Sequence, residues 1–157
     1  MSDSVIDAAA IRKLVPHSGT MCLLDGVVAW DTTHIHARSD SHRNPDHPLR
    51  GDGQLSSVHL IEYGAQATAV HGALIAQAHD APFEPKLLVS VRNVDLHVSR
   101  IDNIDATLDI HATRLIGNAQ GTIYRFAIQA GGRELAQGQV SLYNNSRTVS
   151  GGRPSRA

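Results

Sequence analysis

Between Leu55 and His79 the chain reads LSSVHLIEYGAQATAVHGALIAQAH, a helical pattern that is apolar or small on nearly every side. A helix of that kind is buried on nearly every side, so the rest of the chain must wrap around it. No other feature narrows the choice of fold as much. The segment also carries Glu62, with His59 one turn before it and Gln66 one turn after. Spacings of three and four place these side chains on one stripe. A carboxylate is expensive to bury without a partner, so a buried Glu62 needs a reason to be there.

The flanking sequence predicts what does the wrapping. Residues 7–14 suit a short helix, ended at Val15-Pro16 because the residue before proline is pushed out of the helical region. Met21 to Trp30 and His34 to Arg38 read as strands, separated by a turn at Asp31-Thr32-Thr33. Ser39 to Gly53 is polar and rich in proline and glycine, and loops of this length are often functional. It leads into the long helix, with Ser56 or Ser57 as the candidate cap. After the helix the period falls to two. Lys86 to Val98 alternates with a slip between Arg92 and Asn93, which predicts a β-bulge. Ala106 to Ala112, Tyr124 to Ala130 and Leu135 to Tyr143 follow, divided by turns at Gly117-Asn118 and Gly131-Gly132. The reading is two strands, a long loop, the helix, then four strands in a meander. A curved antiparallel sheet around one apolar helix is an α+β arrangement, the hot-dog fold. Gly64, Ala65, Ala69, Gly72, Ala73 and Ala76 would let the sheet approach closely. Residues 1–145 form one domain on this reading, and 146–157, with almost nothing to bury, a disordered tail.

The totals exclude several functions. A formal net charge of −1 gives no footprint for nucleic acid. No apolar run approaches the ~20 residues of a membrane span. The first residues lack a secretory pattern, and a single Cys22 fits a reducing compartment, so a cytoplasmic location is expected. His34 and His36 share a strand face, where a solvated surface is a better reading than chelation.

Three segments resemble the FabA/FabZ-type 3-hydroxyacyl-acyl-carrier-protein dehydratases. Leu14-Val15-Pro16-His17 with Leu23-Leu24-Asp25-Gly26-Val27 is similar to that family's Leu-Leu-Pro-His-Arg and Leu-Val-Asp-Arg-Val segments. His47 stands where the family has the histidine of a His-Phe-Pro-Gly loop, although Pro48-Leu49-Arg50 follows it here. Glu62-Tyr63-Gly64-Ala65-Gln66 keeps the Glu-x-x-Ala-Gln of the central helix. Pro-Leu-Arg-Gly-Asp-Gly combined with Ile-Glu-Tyr-x-Ala-Gln-Ala looks like the ApeP-like subgroup of aryl polyene clusters. The likeness covers roughly residues 7–144.

The resemblance implies dehydration of a 3-hydroxyacyl thioester, carried on acyl carrier protein, to a trans-2-enoyl thioester in fatty acid or aryl polyene-type synthesis. No metal or cofactor is implied. Such chemistry needs a base for the C2 proton, an acid for the C3 hydroxyl and hydrogen-bond donors for the thioester oxygen. His47 is the expected base, with His42 as its rival. Glu62, dried by apolar neighbours, is the expected acid. Backbone N–H groups near Gly53 and Ser57 are the expected donors to the thioester oxygen, and Gln66 is a helper that holds the carboxyl. His17 and His71 read as structural, and Tyr63 and Asp25 rank below the rest. The acyl chain would run beside the helix, and Arg50, Arg92 and Arg100 are candidates for docking the acidic carrier protein. The uncovered sheet edge implies a homodimer or higher oligomer, or a hetero-pair with a second hot-dog subunit, the arrangement attributed to aryl polyene members. Two other functions fit Glu62. In a hot-dog thioesterase the carboxylate attacks the thioester or activates water without a loop histidine. In a non-catalytic subunit the chain completes a partner's site.

Overall fold

The apolar segment enters a 3-10 turn at Ser57–His59 and continues as one α-helix, Leu60–Ala78 (α2). The Ser56 hydroxyl caps the turn by accepting from the Val58 amide at 3.2 Å. The computed structural model describes residues 5–15, 22–82, 84 and 86–144. His17 and residues 146–157 lie outside the described residues.

The strands are β1 (Ile6–Asp7), β2 (Gly26–Trp30), β3 (His34–Ser39), β4 (Lys86–Leu96), β5 (Leu108–Gly117), β6 (Gly121–Ala130) and β7 (Arg133–Asn144). The short N-terminal helix is Ala8–Leu14 (α1), capped by the Asp7 carboxyl, which accepts from the Ala10 amide at 3.0 Å. All strand pairs are antiparallel, in the order β1-β2-β3-β5-β6-β7-β4. Helix α2 lies against β3, β5, β6 and β7. This is the hot-dog architecture that the sequence predicts, with three departures. A seventh strand, β1, pairs with the start of β2. The strand expected from Met21 is regular only from Gly26, because the Leu23 peptide turns away to bond α2 and the 39–41 loop. Strands β5, β6 and β7 form a meander, but β4 crosses over to pair with β7 and becomes the sheet's edge. The expected bulge is present, as a register shift between Arg92 and Asp95 with Asn93 at φ 54°.

The helix packs on the sheet at its glycine. A Cβ built on Gly64 would lie 2.7 Å from Cγ of Phe126, so only glycine permits this approach. Gly64 and Ala73 are buried, as the close-packing expectation requires. Ala65, Ala69, Gly72 and Ala76 are not. With Glu62 they form a half-covered stripe at spacings of three and four, running the length of the helix. Strand β4 is also open. Leu88, Val91 and Leu96 stand opposite Leu142, Val140 and Ala136, which places them on the sheet's inner face, yet they are 46%, 36% and 39% exposed.

Candidate active site

The polar loop between β3 and α2 is fastened rather than free. It holds a 3-10 turn at Ser41–Arg43, and the Arg50 guanidinium donates to three of its carbonyls, Asn44 at 2.9 Å, Gly53 at 2.7 Å and His42 at 3.1 Å. Arg50 is therefore the loop's internal brace. Of the other docking candidates, Arg100 is paired with the buried Asp102, and Arg92 is exposed on β4.

His47 is folded inwards, only 5% exposed. Its Nδ1 accepts from the Leu49 amide at 3.0 Å, and its Nε2 lies 3.0 Å from the Tyr63 hydroxyl. Burial is the first cause that lowers its pKa, helped by the charges of His59, Arg50 and His42. Tyr63 is fully buried, its pKa pushed up to about 12 by burial, and its hydroxyl lies 2.7 Å from the Ser41 hydroxyl. Ser41 and Ser39 both donate to the Leu23 carbonyl, at 2.9 and 2.6 Å. A groove of about 660 Å³ opens beside these groups, lined by Cys22, Leu23, Asp25, Ser41, His47 and Pro48.

Glu62 is half-buried, not enclosed as the sequence led us to expect. Gln66 donates its amide nitrogen to Glu62 Oε2 at 3.1 Å, and the Gln66 carbonyl oxygen accepts from the Leu23 amide at 2.9 Å. The helper role expected of Gln66 thus has a geometry: it aims the carboxyl from a fixed backbone point. A network runs from Glu62 to His47 by way of Gln66, Leu23, Ser41 and Tyr63. Successive helix residues diverge by about 100°. Tyr63 meets His47, so Glu62, about 100° round the helix from it, leaves α2 on a different face.

The start of α2 does not offer a row of free amides. The Gln54 amide bonds Gly51 O at 2.9 Å, the Leu55 amide bonds Asp102 Oδ1 at 2.8 Å, and the Ser57 amide bonds Ser99 O at 3.0 Å. Ser57 is itself buried, while Gly53 is exposed at φ 76°. A hollow of about 350 Å³ lies here, lined by Leu49, Gln54, Ser56, His59 and Arg100.

The other histidines separate into structural types. His71, fully buried, bridges the Asp31 carbonyl at 2.7 Å and the Tyr124 hydroxyl at 2.6 Å. His42, also fully buried, bonds the Ile104 carbonyl at 3.0 Å, and its Nδ1 is enclosed without a partner. His34 meets His111 across the strands at 3.2 Å, and His36 meets Asp109 at 2.8 Å. Among the described residues no three His, Cys, Asp or Glu side chains gather as a metal site, and no helix is long and apolar enough to cross a membrane.

The residue that sequence reasoning undervalued is Tyr63. The signal was available: a tyrosine on a buried helix needs a partner for its hydroxyl, and the polar loop next to it in the chain was the place to look.

The fold is shared with solved structures. The Dehydratase Heterocomplex ApeI:P from Xenorhabdus doucetiae superposes with a TM-score of 0.79 at 23% identity, over 88% of this chain and 92% of that one. Zebra fish Thioesterase Superfamily Member 2 gives 0.63 at 12% identity, over 88% and 95%. AziG of S. sahachiroi gives 0.59 at 17% identity, over 77% and 90%. No curated protein sequence matches the chain. The family model for ApeP-like proteins, described as ApeP dehydratase, matches residues 9–150, so this chain belongs to the ApeP-like dehydratase family.

Proposed function

We propose that this chain takes part in dehydrating a 3-hydroxyacyl thioester, held on an acyl carrier protein, to the trans-2-enoyl thioester in aryl polyene-type synthesis. A base removes the C2 proton, the electron pair forms the C2–C3 double bond, and the C3 hydroxyl leaves as water after taking a proton from an acid. Glu62 is that acid. The observation that carries the reading is the Glu62–Gln66 pair: a carboxyl at the head of a small-residue stripe, aimed by an amide anchored on the Leu23 backbone.

The site is shared between two subunits. Because Glu62 leaves α2 on a different face from the Tyr63 that meets His47, we assign the base to a loop histidine of a second hot-dog subunit. Two surfaces support this pairing: the open β4 edge with Leu88, Val91 and Leu96, and the half-covered stripe of α2. A partner seated on both would enclose Glu62 and dry the site, which strengthens every electrostatic interaction in it. The relative from Xenorhabdus doucetiae is itself a heterocomplex, and the same hetero-pairing is proposed here.

The test is turnover of a carrier-bound 3-hydroxyacyl thioester, followed by mass spectrometry as loss of one water. Activity is expected from the chain together with its hot-dog partner, and Glu62→Gln should lower it by about 10²–10⁴-fold. Release of the free acid instead, with no enoyl product, would assign the chain to thioester hydrolysis.

A further inference from the structure

We infer that the Leu49 amide and Tyr63 lock His47 as the Nε2–H tautomer, so that His47 clamps the loop onto α2 as a hydrogen-bond donor and this chain brings a carboxyl, but no base, to the shared site. The catalytic half of this rests on the dehydratase reading. The tautomer does not.

The direction of each bond follows from one fixed donor. The Leu49 N–H can only donate, so His47 Nδ1, 3.0 Å away, holds a lone pair there. In the neutral ring the proton is then on Nε2, and it is given to the Tyr63 oxygen at 3.0 Å. The Tyr63 hydroxyl, having accepted, donates to Ser41 at 2.7 Å. Ser41 and Ser39 in turn donate to the Leu23 carbonyl, the acceptor on which the network ends. Neither His47 nitrogen has a lone pair to offer a substrate.

A base histidine is usually arranged the other way. Its second nitrogen donates to a carbonyl or carboxylate, which favours the imidazolium. Here the second nitrogen receives an N–H, which opposes it. The groups facing His47 add to this: His42, Arg50 and His59 are neutral or cationic, and the ring is buried. His42, the rival in the same loop, is no substitute. It is fully enclosed and directs its Nε2–H to the Ile104 carbonyl. Tyr63 is on this account a positioning residue. It acts on the reaction only through the loop that it holds.

Three measurements test the proposal on the full chain paired with its hot-dog partner. Long-range ¹H–¹⁵N correlation on ¹⁵N-histidine-labelled protein at neutral pH should show His47 protonated at Nε2, with an unprotonated Nδ1. His47→Gln retains an N–H near the place of Nε2 but cannot act as a base. It should lower kcat/KM by less than about tenfold, while Glu62→Gln lowers it by at least about a hundredfold. Tyr63→Phe should speed amide exchange across residues 41–49. His47 protonated at Nδ1 would overturn the lock. A folded His47→Gln variant as inactive as Glu62→Gln would restore His47 as a base. Should His47→Gln fail to fold, the tautomer in the wild-type chain decides. A wild-type pair with no dehydratase activity would remove the catalytic half together with the proposed function, and the tautomer would still decide the lock.

Discussion

Acidification from pH 7.5 to 5.5 should destabilise this chain through its buried histidines, well before its carboxylates matter. His42, His47 and His71 are each at most 5% exposed, and burial is the largest cause lowering each pKa below the ordinary 6.5. Each bonding pattern also fits a neutral ring. His71 gives its Nε2–H to Asp31 O and can accept the Tyr124 O–H on Nδ1, His42 has an unpartnered Nδ1 in the core, and His47 Nδ1 faces an N–H. When folded pKa values are depressed, the unfolded chain binds more protons than the native one once the pH drops below about 6.5. Stability is therefore complete above that pH and falls beneath it until the folded values are reached. Each histidine contributes a slope of up to about 1.4 kcal/mol per pH unit, so the three together approach 4 kcal/mol per unit. A typical domain has only about 5–15 kcal/mol to lose. The lowered carboxylates, Asp31 and Asp102, contribute in a separate window below their ordinary 3.8. Urea denaturation at half-unit pH steps, read by circular dichroism and by the fluorescence of Trp30, gives the slope directly. Trp30 is the chain's one tryptophan and its ring lies 6.4 Å from that of His71, so it reports on the same region. A stability flat from pH 7 to 5.5, or a His71 that titrates near 6.5 in the folded protein, would refute the reasoning.

Three further outcomes are expected. Gly64→Ala should destabilise by about 1–3 kcal/mol, because the new Cβ would meet the Phe126 ring at 2.7 Å in a well-packed core; chemical denaturation measures it. Gln66→Ala should cost about 1–3 kcal/mol by leaving the Leu23 amide without its acceptor, and amide exchange at Leu23 should accelerate along with the loss of stability. Val91→Asp, at an exposed inner-face position of β4, should leave the single chain folded by circular dichroism yet abolish co-purification with a hot-dog partner. Retained pairing would show that the partner does not sit on β4.

What the sequence made legible was periodic. The apolar helix, the alternating strands and the slip at Arg92-Asn93 all left a local pattern, and each is present in the structure. What it hid was set by contacts distant along the chain. Strand β1 is two residues long, too short to carry a period. The edge position of β4 depends on pairing with β7, some fifty residues away. The loop from Ser39 reads as polar and irregular, yet it is held by Arg50 on three carbonyls and by Ser39 and Ser41 on Leu23. In the same way the likeness of His47 to a motif histidine gave no sign of which way its ring would turn, because the Leu49 amide and the Tyr63 hydroxyl decide that.

Glu62 carries the same lesson with the opposite outcome. Counting apolar neighbours along α2 led to a fully enclosed carboxyl, and the single chain leaves it half-covered. The count of apolar residues was sound, but this chain covers only part of the helix. Helix α2 is buried along Tyr63, Gly64, Ala67 and Leu74, and its half-covered stripe holds Ala65, Ala69, Gly72 and Ala76. Selection for solvent contact alone would have no reason to keep that stripe small and uncharged. A second helix approaching it would, because small residues allow close packing. The only charged group on the stripe is Glu62 at its head. In the hetero-pairing proposed above, Glu62 would become the buried carboxyl that the sequence led us to expect, with Gln66 already in place to orient it.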